Sequence, residues 1–88
     1  VKQAMFDAGA GKLGDYDYCA WQTSGQGQFR PLAGSNPFLG KKDELETVDE
    51  FKVEMMCDKV NLETAIQALK ACHPYEEPAY SVIKLENY

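Results

Sequence analysis

The 88 residues carry 9 Lys and Arg against 14 Asp and Glu, a net charge of −5 with a pI near 4.7. An acidic surface repels phosphate backbones, which excludes nucleic acid as a partner. No apolar run approaches the ~20 residues of a membrane span, and nothing has the layout of a signal peptide.

Residues 1–88 make a single domain, close to the size at which one core is only marginally stabilising, so self-association is expected. The three cysteines, Cys19, Cys57 and Cys72, are odd in number and lack CxxC spacing. That pattern predicts reduced core thiols in a cytoplasmic protein rather than a disulfide framework.

In chain order, Val1, Ala4, Met5 and Ala8 share one helical face, and Gly9 or Gly11 supplies a left-handed residue to end that helix. Gly9, Gly11 and Gly14 formally match GxGxxG, but they follow a helix instead of opening one, so no dinucleotide site is implied. The aromatic-rich segment from Tyr16 to Thr23 reads as a strand, and Ser24 to Gly27 as a turn. Gln28 to Leu32 then reads as a short returning strand held to an edge by Pro31, with Arg30 as an exposed cation.

The loop from Gly34 to Lys41 lacks the spacing of a phosphate loop. Its Asn36 and Phe38 are binding candidates because ordered loops of this length are often functional. From Val48 to Cys57, Phe51, Val53, Met55 and Cys57 alternate with Glu50, Lys52, Glu54 and Met56, the pattern of a strand buried on one face. Leu62, Ala65, Ile66, Leu69 and Cys72 give an amphipathic helix that Asn61 or Asp58 can cap and that Pro74 stops near residue 72. Tyr80 to Leu85 is β-branched enough for a final strand. Phe51, Val53, Met55, Ile66, Leu69 and Val82 or Ile83 are the expected core.

Between that helix and that strand runs His73-Pro74-Tyr75-Glu76-Glu77-Pro78, an elbow stiffened by prolines and holding the one histidine. If one strand precedes Val1, the elements form a ferredoxin-like α+β unit, βαββαβ, with two helices on one face of an antiparallel sheet and an inserted hairpin or long loop.

Three stretches, Gly9 to Trp21, Phe29 to Gly40 and His73 to Tyr80, resemble the signature stretches of the YqfO/YbgI family. More narrowly, they resemble the PII-like, CutA-like domain inserted in the longer YqfO proteins, which also occurs alone. The resemblance implies a ferredoxin-like fold, assembly through the sheets into a homo-oligomer, and a first strand absent from this chain. The two-metal centre of the longer members, with the GTP cyclohydrolase label attached to it, lies in flanking halves that have no counterpart here.

The expected function is therefore an oligomeric binding or regulatory module for a small ligand or partner protein, without catalytic residues or cofactor. Its candidate site gathers His73, Tyr75 and Glu76 from the elbow, Arg30, and Asn36 and Phe38 from the loop, near a subunit boundary. The alternative is a CutA-like divalent-metal binder using His73, Glu76 and Glu77, a set that only an oligomer could complete, since zinc sites take three or four protein ligands.

Overall fold

A computed structural model of the chain describes residues 1–36, 40–75 and 77–86. Helix α1, Lys2–Asp7, is followed by strand β1, Trp21–Phe29, strand β2, Glu46–Glu54, and helix α2, Lys59–Cys72. The two strands pair antiparallel from Trp21 opposite Glu54 to Phe29 opposite Glu46, giving an α+β fold in the element order expected for the ferredoxin-like class.

α1 ends as its glycine predicts. Ala8 caps it in the helical region, and Gly9 turns the chain at a φ of +105°, a conformation that costs glycine little. Gly11 is then clamped: its N–H donates to the Met56 carbonyl at 2.7 Å, and its own carbonyl accepts from the Cys19 N–H at 2.8 Å. A Cβ there would lie 2.7 Å from the Phe6 ring, so the absence of a side chain lets α1 close over the exit of β2. Phe6 also packs edge-to-face on Tyr18, centroids 4.9 Å apart, an arrangement that suits the aromatic quadrupoles. That contact, with Gln3 Nε2 donating to the Tyr18 hydroxyl at 3.2 Å, accompanies a φ of +53° at Tyr18.

The two helices pack on each other, and Ala65 is the buried residue of α2, 2 % exposed. α2 begins after Asp58 and ends at Cys72, as the position of Pro74 dictates. Asp58 occupies the N-cap without a side-chain hydrogen bond, and Asn61 lies inside the first turn.

Several expectations are corrected. Ser24 to Gly27 is not a turn but the middle of β1, and the partner of β1 is β2 across the long connection, not residues 28–32. Of its two glycines, Gly27 has the Glu50 carboxylate over it, in space a side chain would occupy, while Gly25 faces open space. Residues 16–20 precede the strand, with Leu13 and Tyr16 forming an isolated bridge. Tyr80 to Leu85 joins no ladder among the described residues, so it is not a strand here. An extended segment becomes a strand only when a neighbour takes its N–H and C=O groups.

The expected core is also largely surface. Phe51 and Ile83 are 65 % and 77 % exposed, Val53 and Val82 are exposed as well, and Met55, Ile66 and Leu69 are half-buried. Cys19 and Cys57 are half-buried and Cys72 is exposed, all three as free thiols. β2 forms, but it is not buried on one face as its period-two pattern led us to expect: residues 49 to 54 are all exposed.

Candidate functional site

The end of α2 brings the elbow against the end of β1. Pro74 keeps His73 out of the helical region, and His73 takes φ −74° and ψ +133° while its N–H still donates to the Leu69 carbonyl at 2.9 Å. The chain then folds back on its own imidazole. The Tyr75 N–H donates to His73 Nδ1 at 3.1 Å, and the two rings lie 5.0 Å apart. Tyr75 in turn packs on Phe29, centroids 6.3 Å apart. His73, Tyr75 and Phe29 are each half-buried.

This hydrogen bond determines what the histidine can do. A backbone N–H is always the donor, so Nδ1 presents its lone pair to Tyr75, and the neutral ring carries its proton on Nε2. A metal-bound histidine needs the reverse, one lone pair on the metal while the other nitrogen donates to a carbonyl or carboxylate. The observed turn would have to open before His73 could ligate a metal. Glu77 is exposed, Glu76 lies outside the described residues, and no group of three His, Cys, Asp or Glu is placed to hold a metal ion among the described residues. Nothing observed supports the CutA-like metal reading.

Of the other predicted site residues, Arg30 is exposed, as its position beside Pro31 led us to expect, and it follows Phe29 directly. Asn36 is exposed, and Phe38 lies outside the described residues. The loop is tied back by the Asp43 N–H, which donates to the carbonyl of the buried Pro31 at 2.5 Å. The structure thus joins His73 and Tyr75 to the residue next to Arg30. Sequence reasoning missed Phe29, although its place in a Phe-Arg-Pro run, one residue from a singled-out cation, was the available signal. Lys70, in the last turn of α2, lies 5.6 Å from the Tyr80 ring and completes this end of the molecule.

Shallow hollows lie elsewhere among the described residues. One, of about 450 Å³, is bounded by Ser24, Gly25, Asp49, Glu50 and Phe51 on the hairpin. The other, of about 390 Å³, runs along α2 between Lys59 and Lys70, past Leu62 and Ile66. Neither includes a predicted site residue.

No protein-family model matches the chain. It is, however, 42% identical over 87 residues to the "GTP cyclohydrolase 1 type 2 homolog" of Halalkalibacterium halodurans, covering 99% of this chain and 23% of that protein. The protein of the same name from Bacillus subtilis is 42% identical over 86 residues, covering 98% of this chain and 23% of the relative. Among solved structures, the crystal structure of a Bacillus cereus protein related to NIF3 superposes with a TM-score of 0.80 at 36% identity, over 98% of this chain and 21% of that one. The chain therefore spans between a fifth and a quarter of the length of the relatives it matches. It is homologous to that portion of them, and its fold is the fold of that portion.

Proposed function

We propose that this chain is the PII-like, CutA-like domain of the YqfO/YbgI (NIF3) family, acting as an oligomeric binding or regulatory module and not as a catalyst. Residues 1–88 match one portion of each longer relative, which supports reading them as belonging to a single domain. The name of those relatives describes whole proteins about four times as long, and we assign any cyclohydrolase chemistry to the portion outside the match. A pair of acid and base groups in a pocket is the minimum for such chemistry, and the one imidazole here is engaged with backbone.

The observation that carries assembly is surface. A compact monomer of this mass exposes about 5,200 Å², whereas this chain exposes 7311 Å². Its radius of gyration is 15.1 Å, where about 12 Å is expected for a compact chain of this length. Trp21, Phe51, Val82, Ile83 and Leu85 supply much of the apolar excess, which is what surfaces awaiting partners look like.

Binding is assigned to the end of the molecule where His73, Tyr75 and Phe29 meet beside Arg30, with Glu76, Asn36 and Phe38 as further proposed contributors. Prolines and the ring contacts restrict this region in advance, which lowers the entropic cost of taking a ligand or a partner. The test is mass spectrometry of whatever co-purifies with the protein, repeated on Arg30→Ala and His73→Ala. Loss of the bound species with a melting temperature unchanged within about 2 °C supports the site. Retention of the species in both variants overturns it.

A further inference from the structure

The geometry points to His73 as a proton-operated latch that holds the elbow closed only while its imidazole is neutral. Nδ1 accepts the N–H of the residue two positions on, at 3.1 Å, and this bond draws the Tyr75 backbone toward the imidazole. It is the same relation an Asn or Asp oxygen makes in an Asx-turn, with the difference that an imidazole loses its acceptor when it takes a proton at Nδ1. Tyr75 is the ring that meets Phe29, so the latch ties the elbow to the end of β1.

A second feature gives the protonated ring somewhere to go. His73 is the C-cap of α2, and the last carbonyls of a helix lack intrahelical partners and carry partial negative charge. Once protonated, Nδ1–H changes from acceptor to donor and is attracted to those carbonyls instead of to the Tyr75 N–H. The charged groups around the turn are Lys70 on α2, Arg30 next to Phe29 on the β1 side, and Glu77 beyond Tyr75. None pairs with the imidazole among the described residues. One protonation thus breaks the bond from the Tyr75 N–H to the imidazole and loosens the tie between the elbow and the end of β1. The inference concerns the elbow itself and holds whether or not a ligand binds there.

NMR of the protein from pH 8 to pH 5 tests it. The Tyr75 amide should shift with the same midpoint as the His73 ring protons, with weakening ring contacts between Tyr75 and Phe29. His73→Asn, whose carboxamide oxygen accepts at every pH, should keep the bond and abolish the transition, whereas His73→Ala should show the open signal throughout. A Tyr75 amide that ignores imidazole titration overturns the latch, as does a His73→Asn variant that retains the acid transition. The wild-type titration decides the matter if a variant fails to fold.

Discussion

Gly9 faces Asn61 so closely that a Cβ on the glycine would lie 2.8 Å from both Cγ and Nδ2 of the asparagine. The turn that ends α1 therefore rests on the first turn of α2, and the φ of +105° at Gly9 adds a backbone requirement to the steric one. Gly9→Ala is expected to cost about 2–3 kcal/mol, combining a left-handed non-glycine residue with displacement of Asn61. Gly14, with positive φ but open space around it, should cost only about 1 kcal/mol on the same change. Denaturant midpoints give both values. In a double-mutant cycle, Asn61→Ala should recover part of the Gly9→Ala loss.

Leu69 is half-buried rather than enclosed. Leu69→Ala should therefore cost about 1–2 kcal/mol, below the ~2–5 kcal/mol of a fully buried leucine. Ala65→Leu, at the buried position of α2, should cost about as much or more by overpacking, ~1–3 kcal/mol. Urea unfolding of the two variants side by side checks the ranking.

The exposed apolar face of the hairpin predicts an assembly larger than a monomer. Phe51→Glu should shift the light-scattering mass toward the monomer while leaving the circular dichroism spectrum unchanged, because Phe51 packs little within its own chain. A wild-type protein that scatters as a monomer at micromolar concentration contradicts the prediction.

Burial pushes the Cys57 thiol above its ordinary range, and the neighbouring Asp58 carboxylate adds to the shift. Cys57 Sγ also lies 3.4 Å from the Asp58 carbonyl, to which the protonated thiol can donate. Since the thiolate is the nucleophile, Cys57 should react with iodoacetamide at pH 8 more slowly than the exposed Cys72, and Asp58→Asn should narrow the gap. The sign for stability follows: a folded thiol with a raised pKa favours the protonated form. Its contribution is complete below the unfolded value of about 8.5 and is lost as pH rises above it.

Much of the architecture was legible along the chain because it depends on local rules. Proline at 74 ended α2 at Cys72, glycine at 9 ended α1, and alternation from Val48 onward marked β2. The α+β class followed from those features, whereas the short returning strand after Gly27 and the final strand from Tyr80 are not formed among the described residues. The hairpin was misread for an equally local reason: Ser24 to Gly27 has turn composition, and only pairing with β2 shows that it runs straight.

Residue order by itself determined where the helices start and stop, that Arg30 faces solvent, and that an imidazole sits on a proline-stiffened elbow, since each follows from covalent geometry or spacing within a few residues. Tertiary structure alone decided that Phe51 and Ile83 lie on the surface, that the segment from Tyr80 to Leu85 has no ladder partner among the described residues, and that Phe29 meets Tyr75. It also decided which nitrogen of His73 is engaged. Burial, strand pairing and ring contact are relations between residues far apart in the chain, and hydrophobicity or β-propensity states only that a residue seeks cover, not whether its own chain provides it.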